Sequence, residues 1–204
     1  ETHFSWVFLT ATHAYKMKKP VRQASMDYRT VTGRGRGCRV EVRLNRRLAP
    51  TVYLGVLSLG RKRDGQLVLG NGGRIVDFLV AMRRLPAARM LDALMMRDGV
   101  TAPELHALVG LLAGFYAGAR SRPMSSRGYL QQLRARTLED GHELLKREYQ
   151  LPACDVQALV GVQLGFIHQR ADCLRARSDR LVEGHGDLRP ERVYLGEVPE
   201  GPAV

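Results

Sequence analysis

The sequence predicts an α+β protein in which a strand-rich first part is followed by a helical second part. Two observations indicate this. Up to about residue 84, short runs of β-branched and aromatic residues alternate with turn signals. Beyond it, longer segments carry apolar residues three and four apart, as an amphipathic helix does. With 204 residues, the chain has room for one medium domain or two small lobes.

The first part begins with two β-type runs, 4–9 and 14–17, which predict a hairpin. Further strands are predicted at 52–59, 66–69 and 74–82, each bounded by glycine-containing turns. The second strand carries Lys16 within an apolar run. A lysine in this setting either occupies a solvent-facing alternate position or contacts a phosphate group, and the strand pattern alone favours the solvent-facing reading.

A helix is predicted at 36–48, and its wheel separates an apolar side from an arginine-rich side. Glu41 lies among the apolar residues. A carboxylate on a buried side needs a partner, and Lys16 on the neighbouring strand is the natural candidate. The alternative is that Glu41 neutralises the arginines of its own helix. Three glycines, at positions 33, 35 and 37, are each unfavourable by about 1 kcal/mol where the backbone is helical.

The second part predicts a series of helices. A short one covers 88–97, and the next opens with a capping box in which Thr101 is the N-cap and Glu104 the third helical residue. A more polar helix follows at 129–149. Asp155 is predicted to cap a largely buried helix that continues through residue 167.

Composition limits the function classes. The formal net charge is +12, and only five of the 32 basic residues are lysine. Such a field favours anionic partners, including nucleotides, nucleic acids and acidic surfaces. Aromatic residues are not interleaved with the basic ones, which disfavours nucleic acid. The sequence shows no membrane-spanning run and no secretory signal, and its three cysteines lack CxxC spacing, so a cytoplasmic protein with reduced thiols is predicted.

Near the C-terminus, two short β-type runs, 180–182 and 193–195, flank a turn that contains Gly184 and Gly186. The turn presents Asp187 beside His185 and a cluster of charges. The protein-kinase catalytic loop reads H-R-D-L-x-x-x-N. His185, Asp187 and the leucine after it match that pattern, whereas Arg192 stands where the asparagine would be. The alternative is a glycine-rich surface turn with a solvated aspartate.

Four ordered stretches make the resemblance more specific. They are Ala14-Tyr-Lys-Met-Lys-Lys-Pro-Val21, Arg43-Leu-Asn-Arg-Arg-Leu-Ala-Pro50, Met82-Arg-Arg-Leu-Pro86 and His185-Gly-Asp-Leu-Arg-Pro-Glu191. Together they resemble the aminoglycoside phosphotransferase family, most closely its bacterial members of unassigned substrate, some of which are fused to a P-loop ATPase domain. The resemblance implies a protein-kinase-like two-lobe fold. A nucleotide-binding lobe at 1–84 would lack its first strand, and an incomplete helical lobe would cover 85–204.

The resemblance also implies roles for individual residues. Lys16 resembles the strand lysine that contacts the α- and β-phosphates of ATP, and Glu41 resembles its helix partner. Asp187 resembles the base that accepts the proton of the acceptor hydroxyl, with His185 in the same catalytic motif. Two further assignments concern ATP: Val80, Ala81 and Met82 resemble the segment whose backbone meets the adenine edge, and Ser5 would lie at the phosphate-covering turn.

Two departures bear on activity. Arg192 replaces the asparagine that binds magnesium in protein kinases, and a guanidinium contacts a phosphate directly instead of a metal. The metal-binding aspartate of the family is expected after Val204, together with the region that holds the acceptor, so the chain reads as a piece of a longer protein. No metal ligand is therefore predicted within it, whereas the intact enzyme is expected to use ATP and Mg²⁺.

The leading hypothesis is an ATP-dependent phosphotransferase that acts on a hydroxyl of a small molecule, with weak or no turnover by this chain alone. The expected partners are a nucleotide and an acceptor that the sequence does not identify. The alternative is a non-catalytic kinase-like module that binds nucleotide or another protein, which Arg192 and the three helix glycines would suit.

Overall fold

The structure, a computed structural model, describes residues 2, 4–23 and 26–196 of the chain. It divides into two compact units, one made of Glu1–Phe115 with Gly186–Val204 and the other of Tyr116–His185. Residues 85–115 and the segment after His185 belong to the first of these units. The predicted lobe boundary after residue 84 stays a prediction.

The first unit is built around an antiparallel sheet. Its strands in chain order are β1 (Ser5–Leu9), β2 (His13–Lys18), β3 (Arg22–Gln23), β4 (Met26–Asp27), β5 (Tyr53–Arg61), β6 (Leu67–Leu69) and β7 (Arg74–Arg83). In the described residues, five of them form one sheet in the order β1-β2-β7-β5-β6, while β3 and β4 pair separately. The predicted hairpin and the three later strands are confirmed. The nearly continuous apolar run of β7 fits its central position, where Leu79, Val80 and Ala81 are buried.

Helix α1 (Val31–Asn45) begins five residues earlier than predicted. Its start is fixed by Thr30, whose side chain accepts a hydrogen bond from the Gly33 N–H at 3.0 Å. Glycine in the first turns has a packing reason. A Cβ at Gly35 would lie 2.6 Å from the ring of Phe78, and one at Gly37 would lie 2.5 Å from the ring of Tyr28.

The inner side of α1 forms a small core with the sheet. Cys38, Val42 and Val80 are its buried members, and burial raises the pKa of the Cys38 thiol to about 11. Leu44, which the helix wheel places on the apolar side, is 36% exposed, whereas Leu48 just after the helix is buried.

After the sheet, the chain continues with a 3₁₀ turn (Ala87–Arg89), α2 (Leu91–Met95) and α3 (Ala102–Ala117). The single helix predicted at 88–97 is interrupted at Met90, which forms an isolated antiparallel bridge with Tyr194. The capping box is confirmed. The Thr101 N–H donates to Glu104 Oε2 at 2.9 Å, and the Glu104 N–H donates back to Thr101 Oγ1 at 3.4 Å.

The second unit contains α4 (Ser126–Leu144), a 3₁₀ turn (Arg147–Tyr149), α5 (Ala153–Gln169) and α6 (Ala171–Arg175). Helix α5 begins two residues before Asp155, so the prediction of Asp155 as its cap is wrong. Pro152 is the N-cap residue, and Asp155 lies in the first turn, where a carboxylate still suits the helix N-terminus. The predicted β-type runs at 180–182 and 193–195 form only isolated bridges.

No helix in the described ranges has both the length and the apolar character needed to cross a bilayer. The three cysteines are free thiols. Cys38 is buried, whereas Cys154 and Cys173 are exposed in the second unit.

Candidate functional site

Two lysines of β2 converge on one carboxylate of α1. Lys16 Nζ lies 2.7 Å from Glu41 Oε1, and Lys18 Nζ lies 2.6 Å from Glu41 Oε2. Residues two apart on a strand point to the same face, and this face is the one that α1 covers. The predicted partnership of Glu41 with Lys16 is therefore confirmed. The second lysine was missed, although the period of two along the strand could have indicated it.

The cluster is largely withdrawn from solvent. The side chains of Lys16, Lys18 and Glu41 are 27%, 8% and 13% exposed. Burial by itself raises the pKa of Glu41, but the two ammonium groups outweigh burial and hold that pKa below its ordinary value. Burial likewise opposes the charge of Lys18, yet Glu41 raises the pKa of that lysine above its ordinary value. With two cations and one anion, the cluster keeps one net positive charge.

Neighbouring side chains fix the cluster in place. Asn45 Nδ2 donates to the backbone carbonyl of Glu41 at 2.8 Å, one helical turn further along α1. The ammonium group of Lys18 lies 4.9 Å from the centre of the Tyr28 ring, a cation–π distance. A Cβ at Gly37 would approach the Lys18 stem to 3.0 Å, so the missing side chain there leaves room for this lysine. Because Lys18 is held more tightly, Lys16 is the member that is better able to reach a ligand.

The loop that carries Asp187 has a defined local geometry. Gly186 adopts φ +83°, a left-handed conformation that favours glycine, and turns the chain just before Asp187. A 3₁₀ turn follows at Pro190–Arg192. Arg189 Nε lies 2.9 Å from Asp187 Oδ1, and a terminal nitrogen of Arg192 lies 2.8 Å from Asp187 Oδ2. Two guanidinium groups therefore hold the two carboxylate oxygens of Asp187.

The residues after the loop anchor it to the first unit. Val193, Tyr194 and Leu195 are all buried. The Leu91 N–H donates to the Val193 carbonyl at 2.8 Å, and the Leu195 N–H donates to the Arg89 carbonyl at 2.9 Å. The side chain of Arg89 also donates to the Leu195 carbonyl. The loop thus ends on a packed strand-like segment that limits its movement.

Tyr53, at the start of β5, is near both the cluster of Lys16, Lys18 and Glu41 and the loop that carries Asp187. Its ring packs against the core around Val80 and also against the core around Tyr194. The pKa of its phenol is raised to about 12, mainly by burial and to a lesser extent by the carboxylate of Glu41, while the guanidinium of Arg192 lowers it. Within the first unit, the phenol therefore lies in the electrostatic range of both Glu41 and Arg192. The sequence analysis did not single out this tyrosine.

Other predicted site residues lie in less accessible places. Val80, Ala81 and Met82 are inside β7, paired with β2 on one side and β5 on the other. Backbone groups of a central strand are used by its neighbours, and the assignment of these three residues to the adenine edge stays a prediction. Ser5 is a buried residue of β1 instead of part of an exposed turn.

His185 and Asp187 fall in different units. His185 is the last residue of the second unit and is half-buried, whereas Asp187 belongs to the first unit. Among the described residues, no group of three or more His, Cys, Asp or Glu side chains is placed to hold a metal ion. Both carboxylate oxygens of Asp187 are engaged by arginines, and the use of magnesium by the intact enzyme stays a prediction.

Comparison with known proteins gives a distant similarity. The chain is 28% identical over 199 residues to the uncharacterized protein Rv2004c of Mycobacterium tuberculosis and to the uncharacterized protein Mb2027c of Mycobacterium bovis. In each case the alignment covers 96% of this chain and 38% of the relative. The chain thus spans about two fifths of the length of these curated relatives. No protein-family model and no solved structure matches it.

Proposed function

We propose that the chain is the nucleotide-binding part of an ATP-dependent phosphotransferase that resembles the aminoglycoside phosphotransferases and has a protein-kinase-like fold. Its acceptor would be a hydroxyl group of a small molecule. The observation that carries the proposal is the ion pair between Lys16 and Glu41, 2.7 Å long and formed across 25 residues of sequence. A lysine held by a helix carboxylate beside a sheet is what the resemblance implies for a site that binds ATP phosphates.

The electrostatics of the cluster support a phosphate ligand. Glu41 compensates one of its two lysines, and the excess positive charge attracts an anion. Lys16 is the more exposed lysine, so its ammonium group donates to phosphate oxygens while Glu41 keeps it in position. Lys18 remains as the buried counter-charge that keeps Glu41 ionised when Lys16 turns to its ligand.

Asp187 is the proposed base. Its carboxylate accepts the proton of the acceptor hydroxyl as that oxygen forms a bond to the γ-phosphorus. The bond from phosphorus to the bridging oxygen breaks, and ADP leaves with the electron pair. The proton then passes from Asp187 to solvent. Arg192 is close enough to Asp187 to contact the transferred phosphoryl group, and a guanidinium there would offset its charge.

The intact enzyme is proposed to use Mg²⁺, which would neutralise charge on the phosphates. The described residues do not form a site for it, and no step here depends on it. The proposal for the whole protein also includes a cytoplasmic location, which rests on the composition of the sequence, and a fused P-loop ATPase domain, which the resemblance alone supports.

A second candidate function is a non-catalytic module that binds nucleotide or a protein partner. The double ion pair of Asp187 with Arg189 and Arg192 favours it. A base must present an oxygen to the hydroxyl, and here one or both ion pairs would have to open or shift first. A copy without catalytic function could instead keep this arrangement permanently, as a structural clamp of the loop.

Turnover of Asp187→Asn in the full-length protein distinguishes the two functions. We expect ATP consumption to fall by about 10²–10⁴ because the amide cannot accept the hydroxyl proton. The matched control is Asp140→Asn, an exposed residue of α4 with the same chemical change. An unchanged rate in Asp187→Asn dismisses the role of base. ATP binding without any turnover in the unaltered protein favours the second candidate.

A further inference from the structure

A groove runs between α1 and β5 on the first unit. It has a volume of about 480 Å³ and is lined by Arg39, Val42, Arg43, Arg46, Gly55 and Val56. Arg39 and Arg43 lie one turn apart on α1 and Arg46 is its C-cap residue, so the three arginines, spaced i, i+4 and i+7, follow one side of the helix. Val42 and Val56 give the groove an apolar floor. We call this feature the arginine groove.

Two of its arginines are held in place. Arg46 donates from Nε to the carbonyl of Tyr53 at 2.7 Å and from a terminal nitrogen to the carbonyl of Leu54. The guanidinium of Arg39 lies 5.3 Å from the centre of the Phe78 ring. Such contacts reduce the conformational entropy that a ligand must otherwise remove. Arg43 is exposed and is positioned by the helix alone.

The positive charge of the arginine groove is not compensated. Within the described ranges, none of its three arginines forms an ion pair with a carboxylate. Glu41, on the same helix, faces β2 and is already bonded to Lys16 and Lys18. Three cations around an apolar floor thus favour a ligand that carries both acidic and apolar groups.

The backbone of β5 indicates the shape of that ligand. Strand β6 pairs with β5 only from Leu59 to Arg61. In the part of the chain that the structure describes, residues 55–57 pair with β7 on one side and with no strand on the other. An exposed sheet edge binds an extended peptide by adding it as a further strand. The open edge lies where the arginine groove has its apolar floor.

We propose that the arginine groove binds an extended acidic peptide segment. Alternate side chains of such a segment would rest on Val42 and Val56, while its carboxylates pair with the arginines and its backbone pairs with β5. An inorganic phosphate would occupy only a small part of the volume and would leave the apolar floor uncovered. The site is independent of the proposed phosphotransferase chemistry and uses none of its residues.

Fluorescence titration with a labelled ten-residue peptide of alternating glutamate and valine tests the proposal. We expect saturable binding that Arg43→Glu weakens about tenfold or more, since it replaces an attraction with a repulsion. Arg43 makes no hydrogen bond or ion pair with the described residues, so its replacement preserves the fold. The matched control is Arg136→Glu on α4, which changes the net charge equally and should leave the affinity unchanged.

The location of binding provides the second criterion. In a heteronuclear NMR spectrum of the ¹⁵N-labelled chain, we expect the peptide to shift the amides of Gly55 and Val56. Absence of saturable binding or equal weakening by Arg136→Glu would overturn the proposal. So would full competition by millimolar inorganic phosphate, or tighter binding of a single-stranded oligonucleotide at the same amides. Shifts confined to the basic turn at 61–63 would overturn it as well.

Discussion

The carboxylate of Glu41 forms ion pairs with two lysines, and only one of these ion pairs can break without a large cost in stability. The side chain of Lys18 is 8% exposed, whereas the side chain of Lys16 is 27% exposed. An uncompensated buried ammonium group is costly, so the pair with Lys18 has a structural role. The pair with Lys16 is the one that a phosphate ligand can replace. This difference between the two lysines is the main residue-level argument for the proposed site.

Glu41→Gln should lower the free energy of unfolding by about 3 kcal/mol at pH 7, because it leaves Lys18 buried without its counter-charge. The folded-state pKa of Glu41 lies below its ordinary value of 4.5, so its contribution is present above that value. The contribution is lost as pH falls through the folded-state pKa. Urea unfolding between pH 7 and pH 3 should therefore show the two proteins converging in acid.

The control for this prediction is Glu148→Gln, an exposed residue of the second unit. It should leave the stability at pH 7 nearly unchanged. A constant difference between Glu41→Gln and the unaltered protein across the whole pH range would show that the carboxylate charge is not the cause.

At the residue level, a contact could be predicted from the sequence where a buried charged side chain required a partner. The Lys16–Glu41 contact was predictable, because a carboxylate on an apolar helix face requires a partner and the adjacent strand offered one. The double ion pair of Asp187 was not predictable. It depends on a 3₁₀ turn at Pro190–Arg192 that brings Arg189 and Arg192 to the same side, and apolar periodicity carries no information about that turn.

At the scale of the element, the main feature of α1 is its close packing against the sheet. Gly35 packs against Phe78, and any side chain there would overlap the ring. The helix consequently lies near the sheet, and Glu41 on it meets the lysines of β2. By helix propensity alone the glycines weaken the helix, and the predicted start at residue 36 is five residues too late. Their benefit arises from tertiary packing, which helix propensity does not include.

Gly35→Ala should lower the free energy of unfolding by about 1–2 kcal/mol, since the overlap with Phe78 outweighs the better helix propensity of alanine. The matched control is Gly110→Ala in α3, where a Cβ would meet nothing within 4 Å. That change should stabilise the protein by about 0.5–1 kcal/mol. Thermal unfolding of both variants measures the difference, and a gain of stability in Gly35→Ala would contradict the packing argument.

For the whole molecule, the sequence predicted the α+β class and the succession of strands and helices well. Periodicity and turn signals are local, and β2, β5, β7 and α3 all follow them. The division into compact units was less accessible. It depends on the return of Val193–Leu195 to pack beside Arg89–Leu91, a contact across more than 100 residues that only tertiary packing decides.

The proposed function of the molecule depends on nucleotide binding by the first unit. Lys16, Glu41, Asp187 and Arg192 all belong to this unit, although they come from opposite ends of the sequence. The chain spans about two fifths of the length of its curated relatives, and the sheet, α1 and the anchored loop that carry the proposed site all lie within it. Nucleotide binding can be tested in this chain without the residues that would complete catalysis.

Isothermal titration of the chain with ATP tests this central claim most directly. We expect saturable binding, and Lys16→Met should raise the Kd about ten- to a hundredfold through loss of a charge-assisted hydrogen bond. Lys62→Met, at the exposed β5–β6 turn, removes the same charge and should leave the Kd unchanged. The account would be contradicted by the absence of ATP binding to the unaltered chain, or by equal effects of the two substitutions.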